Sequence, residues 1–155
     1  MITIILKPTR LAKQEFNFID FEILAQCVTT LINNINYNKI NRTYTIKVNV
    51  SNYPAETPNS HYLWHKNTIN IINHNKFKKP YLVRRFIHNF IHELKHWSQD
   101  KLLKVSFFKN YASDGRAYYK CPLERDAREY TKLMLNATIQ HYNVCLLYTS
   151  DAADE

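Results

Sequence analysis

A chain of 155 residues with 45% hydrophobic side chains reads as one domain with a modest core. No apolar run is long enough to span a bilayer, and the opening stretch MITIILKPTRLAKQEF holds an apolar patch too short and too early for a secretory signal. The expectation is a cytoplasmic protein with no membrane contact, whose net charge of +8 permits binding to nucleic acid or another polyanion without requiring it.

Residues 19–35, IDFEILAQCVTTLINNI, place Ile23, Leu24, Cys27, Val28, Leu31, Ile32 and Ile35 at helical spacing and predict an amphipathic helix. Residues 43–50, TYTIKVNV, alternate strictly, with Tyr44, Ile46, Val48 and Val50 on one face of a half-buried strand. The proline-containing stretch SNYPAETPNSH, residues 51–61, predicts a loop. A second short strand is expected over residues 68–72. The longest helical pattern covers residues 80–100. A loop over residues 110–120 holds the only glycine, Gly115, and a last helix begins at Pro122 and runs to about Tyr142. Helix, strands, helix, helix is the order of an α+β domain.

The long helix carries HELKH, residues 92–96. On a helical wheel Val83, Phe86, Ile87, Phe90, Leu94 and Trp97 gather on one side, and His92 and His96 lie one turn apart on the other. Such a helix buries its apolar face and offers two imidazoles to a second layer. Two imidazoles from one helix face suit a zinc ion, with room for a third ligand and a water. Glu93, offset by one residue, reaches that water instead of the metal and can act as its general base. His88 lies one turn before His92, but Asn89 after it cannot serve as a base, so His88 is read as a solvent-side or supporting histidine.

A third ligand is sought in KCPLERDAREY, residues 120–130. Glu124 falls in the first turn of the last helix and shares a face with Ala127, whose small side chain lets two helices approach closely. Cys121 and Asp126 lie near enough in sequence to compete for the same role, and cysteine is a good zinc ligand. Tyr111, Tyr118 and Tyr119 are each available to assist an oxyanion.

HELKHWSQD followed by CPLERDAREY resembles the small gluzincin-type zinc peptidases of phages and bacteria, which carry HExxH on one helix and a P-x-E-x-[DE]-A segment on a later one. The resemblance covers residues 68–130. It implies a zincin-like fold, with a short sheet packed against the HExxH helix and a second helix carrying the third ligand. Carried over by position, His92, His96 and Glu124 are the metal ligands and Glu93 the general base. TINII, residues 68–72, takes the place of the edge strand along which a peptide substrate pairs. The third histidine of the metzincin extension is absent, since Leu102 occupies its position.

The last residues, CLLYTSDAADE, match the conceptual translation of a transposase sequencing adapter. Residues 1–144 are therefore taken as the metallopeptidase domain and residues 145–155 as a read-through remnant. Three of the thirteen acidic residues (Asp151, Asp154, Glu155) and no Lys or Arg lie in that tail, so the charge without it is +11. Cys27 and Cys121 then remain, which suggests reduced thiols and no disulfide framework. Abundant Ile, Asn and Lys with a single glycine suit an AT-rich genome such as that of a low-GC bacterium, phage or mobile element.

The function expected is zinc-dependent hydrolysis of a peptide bond in a peptide or protein substrate, with water activated by Glu93. One alternative is a SprT-like DNA-associated metalloprotease, which the basic run KFKKPYLVRR would suit. Another is a non-enzymatic basic nucleic-acid-binding protein in which HELKH has no metal to hold.

Overall fold

The structure is a computed structural model that describes residues 1–17, 19–36, 43–53, 60–63, 66–74, 79–103 and 121–151. Alternation in sequence builds its sheet. In β2 (Tyr44–Tyr53) Ile46, Val48 and Val50 are fully buried, while Thr45, Lys47 and Asn49 between them are exposed. β1 (Ile2–Pro8) pairs with β2 in parallel and adds Ile2 and Ile4 to the same buried face. On its other side β2 pairs in parallel with β4 (Thr68–His74), which contributes Ile69 and Ile71. A three-residue strand, β3 (His61–Leu63), closes the sheet as its antiparallel edge, giving the order β1-β2-β4-β3. The opposite face carries Thr45, Lys47, Asn49 and Asn70 beside Ile5 and Ile72, and Asn49 donates from Nδ2 to Asn70 Oδ1 across the ladder at 3.0 Å.

Helices cover the apolar face. Thr9 caps α1 (Arg10–Glu15) by accepting from the Ala12 amide. Asp20 caps α2 (Phe21–Asn36) by accepting from the amides of Glu22 and Ile23. Residues of α2 also cover the outer edge of β1. Asn33 accepts from the Ile2 amide and donates to the Ile2 carbonyl, both at 2.8 Å, and Thr29 Oγ1 accepts from the Ile4 amide. That edge therefore offers fewer bare amides for pairing with another chain.

α3 (Lys79–Lys101) and α4 (Pro122–Asp151) lie against each other, and α4 also packs on α2. Phe86, Ile87, Phe90, Ile91, Leu94 and Trp97 bury the sheet-side face of α3. Trp97 is its anchor. The indole sits edge-on to Tyr44 of β2, with ring centroids 5.4 Å apart, and donates from Nε1 to Asn67 Oδ1 at 2.8 Å. Asn67 has φ 48°, a left-handed conformation that asparagine tolerates better than most residues. At the far end, Tyr142 of α4 accepts from the Asp20 amide at 2.9 Å, tying α4 to the start of α2.

The α+β class, with a small four-stranded sheet and helices, is what the structure has. Several expectations are corrected. The chain opens with a strand, because Ile2, Ile4 and Leu6 alternate toward the core and pair with residues more than 40 positions away. Residues 51–53 continue β2 and residues 61–63 form β3, so the stretch expected as a loop is strand at both ends; residues 54–59 lie outside the described set. TINII is not the edge: β4 is held between β2 and β3, and the edge is β3. α4 does not stop at Tyr142 but continues to Asp151, with Leu146 packed against the core. Among the described residues no helix is long and apolar enough to cross a membrane.

If Trp97 anchors the site helix, Trp97→Ala should cost about 3–5 kcal/mol of stability in urea unfolding, the usual range for emptying a large buried aromatic position. Leu133→Ala, at a position 78% exposed, should change it by less than about 0.5 kcal/mol.

Candidate metal centre

His92 and His96 stand one turn apart on the face of α3 that the sheet does not cover, and α4 covers it. Their rings meet at 84° with centroids 4.8 Å apart, which turns both Nε2 atoms inward to 3.2 Å from each other. Glu124 enters from the first turn of α4. Its Oε2 lies 3.1 Å from His92 Nε2 and its Oε1 3.1 Å from His96 Nε2. Pro122 starts that turn, and Ala127, fully buried, shares the Glu124 face. The structure thus brings together three of the residues that the sequence singles out, and they form a group that could hold a metal ion.

The spacing fits a metal. Donors at about 2.0–2.1 Å from a shared tetrahedral ion lie about 3.3 Å apart, close to the separations here. The chemistry of the donors agrees, since imidazole nitrogen and carboxylate oxygen are both zinc ligands. Facing lone pairs at these distances need a cation among them, either a proton or a metal. Burial opposes charge on His96, but the hydrogen bond to Glu124 and the charges of Glu93 and Glu124 outweigh it, and the pKa is raised.

Glu93 is 7% exposed and takes no place in the triangle. Burial pushes its carboxyl up to about 8; the Glu124 charge adds to the rise, while His96 and the Tyr62 backbone amide oppose it. Tyr62 belongs to the edge strand β3, and its hydroxyl donates to Asp100 Oδ2 of α3 at 2.7 Å. The edge strand is therefore fastened to α3 at two points, one of them Glu93.

Behind the triangle, Gln99 is 1% exposed and hydrogen-bonds His96 Nδ1 through Oε1 at 2.8 Å. Its Nε2 donates to the Leu123 carbonyl at 3.0 Å and to Asp126 Oδ2 at 2.8 Å. Lys95 Nζ lies 3.3 Å from the same Asp126 oxygen and 4.9 Å from the centre of the Tyr130 ring. His92 differs: its Nδ1 is buried without a hydrogen-bond partner among the described residues.

The remaining candidates fall elsewhere. Cys121 is buried but lies outside the group formed with His92 and His96, and Asp126 faces Gln99 and Lys95. The His88 ring lies nearly parallel to that of His92 with centroids 6.5 Å apart, and its pKa is lowered by burial, with Arg85, His92 and Arg84 adding to the fall. Tyr111, Tyr118 and Tyr119 lie outside the described residues. Tyr62 and Gln99 were not singled out from the sequence; only the three-residue step from His96 to Gln99, which puts them on one helix face, pointed to the latter. A second group, Cys27, His141 and Cys145, also converges, with the two sulfurs 2.7 Å apart and the Cys27 thiol pushed up to about 12 by burial and by Cys145. Its donors come from α2 and from the second half of α4. Comparison with known proteins finds no family model, no curated protein and no solved structure that matches the chain.

The Glu93 carboxyl has a pH consequence for the metal-free protein. Its folded value lies above the ordinary 4.5, so the folded state holds a proton that the unfolded state releases. The stabilisation is complete below about pH 4.5 and is lost as pH rises through about 8. Urea unfolding in chelator, run from pH 5 to pH 9, should show stability falling in the wild type and a flatter profile in Glu93→Gln. Parallel profiles would remove Glu93 as a cause.

Proposed function

We propose that the chain is a zinc-dependent peptidase of the HExxH kind, with His92, His96 and Glu124 as metal ligands and Glu93 as general base. The observation behind this reading is the convergence of His92 Nε2, His96 Nε2 and the Glu124 carboxylate at 3.1–3.2 Å, with Glu93 buried beside them and outside the ligand triangle. A purely structural ion pair would need one histidine for one carboxylate. Here one carboxylate faces two, one on each oxygen.

When bound, zinc supplies a Lewis acid that lowers the pKa of water and polarises a carbonyl oxygen. The chain's own residues do the rest. Glu93 takes a proton from water as the water oxygen bonds to the scissile carbonyl carbon, and it delivers that proton to the departing amine as the C–N bond breaks. Its position beside β3 gives an extended peptide a neighbouring strand edge to pair with, and the Tyr62 amide holds the Glu93 carboxylate toward that edge. The DNA-associated version of this chemistry has the net charge of +8 and the basic run KFKKPYLVRR behind it.

The test is cleavage of a peptide library by zinc-loaded protein. The wild type should cut; Glu93→Gln should keep its zinc and lose at least about 100-fold in rate, the lower range for a general base. His92→Ala should lose both zinc and cleavage. Undiminished cleavage by Glu93→Gln would take the general-base role away from Glu93, and a wild type that takes up no zinc would end the peptidase reading.

A further inference from the structure

We infer that Gln99 is the positioning residue of the metal centre: it fixes which nitrogen of His96 carries the proton, and it locks the helix turn that presents Glu124. The inference rests on the metal-site reading above and assigns a role to a residue outside the HExxH motif.

The reasoning runs through the two ends of one amide. A glutamine side chain has a carbonyl that only accepts and an NH₂ that only donates, and its orientation follows from its partners. Two of the partners of Gln99 are the Leu123 carbonyl and the Asp126 carboxylate, at 3.0 and 2.8 Å. A backbone carbonyl has no hydrogen to give, and the Asp126 oxygen that faces Gln99 also lies 3.3 Å from Lys95 Nζ, so both partners accept. Both NH₂ hydrogens are thereby used. The carbonyl is left for His96 Nδ1 at 2.8 Å, and a carbonyl there requires Nδ1 to bear hydrogen. In the neutral ring the lone pair then belongs to Nε2, the atom that points into the triangle with His92 and Glu124. The tautomer able to bind a metal is set from behind, in a residue 1% exposed, where water cannot compete.

The same amide joins two helices. Its acceptors, Leu123 and Asp126, flank Glu124 in the first turn of α4, so the group that orients one ligand on α3 also holds the turn carrying another. Asp126 thus belongs to the site without being a ligand: it holds one Gln99 hydrogen and pairs with Lys95, which comes from the HExxH motif itself. His92 has no such acceptor behind its ring among the described residues, which concentrates the orienting role on His96.

The test compares wild type, Gln99→Met and Gln99→Glu by three readouts. Methionine keeps the volume and removes every hydrogen bond; glutamate keeps an acceptor for His96 and loses both donations. Long-range ¹H–¹⁵N NMR of the metal-free protein reports which His96 nitrogens carry hydrogen. Chelator competition gives zinc affinity, and thermal unfolding gives stability. Wild-type His96 should be protonated at Nδ1. Gln99→Met should lose that preference and weaken zinc binding by about 10- to 100-fold, the range typical of groups that orient a metal ligand. Gln99→Glu should keep the Nδ1–H tautomer. The core variant Leu135→Ala, whose side chain takes no part in this network, should lower thermal stability and leave the tautomer unchanged.

A wild-type His96 with no hydrogen at Nδ1, or a Gln99→Met protein that keeps both the Nδ1 hydrogen and the zinc affinity, would overturn the inference. If the wild type binds no zinc but shows the Nδ1–H tautomer, and Gln99→Met loses it, the positioning role stands and the metal-site reading is the one that fails.

Discussion

A carboxylate is hard to keep in a protein interior. Glu124 is 3% exposed, and an ionised carboxylate buried that deeply is stable only when its charge and its lone pairs are both answered. Two imidazole nitrogens answer them here, one at each oxygen. This meeting of α3 and α4 organises much of the rest of the structure. The helices must come close, which the fully buried Ala127 permits, and their facing turns must stay in register, which Gln99 enforces from α3 onto Leu123 and Asp126.

α3 has to serve two layers at once. Toward the sheet it presents Phe86, Ile87, Phe90, Leu94 and Trp97, and toward α4 it presents His92, His96 and Gln99. Buried apolar contact holds the first face rigidly, and that rigidity lets the second face keep short donor distances. Glu93 lies at the junction, between the ligands and the edge strand, so one residue connects the proposed chemistry to the surface where a peptide would lie. The anchor of Trp97 on Tyr44 and Asn67 carries the same logic into the sheet: a shift of that indole would move the helix on which both histidines ride.

Much of this was legible in the sequence, for local reasons. Helix spacing is a short-range pattern, so α2, α3 and the start of α4 could be read from apolar periodicity and from Pro122. The His92/His96 pair and the face shared by Glu124 and Ala127 are likewise matters of helical geometry. What escaped was non-local. β1 is a short alternating run whose partner lies more than 40 residues away, and β3 has only three residues, too few for a period to emerge. Strand order is not legible either: TINII stands in sequence where an edge strand belongs, and its pairing with the three residues of β3 makes β4 internal. Gln99 and Tyr62 were hidden for a related reason: their partners, Leu123, Asp126 and the Glu93 carboxylate, are brought to them only by tertiary packing.

The most direct measurement is X-ray absorption at the zinc edge on protein loaded with one equivalent of zinc, run beside Glu124→Ala. The expected wild-type signal is a first shell of nitrogen and oxygen at about 2.0–2.2 Å with imidazole scattering from two histidines, lost or rearranged in the variant. A sulfur neighbour at about 2.3 Å would place the ion at Cys27, His141 and Cys145 instead, and an ion that retains only water around it would contradict the site altogether.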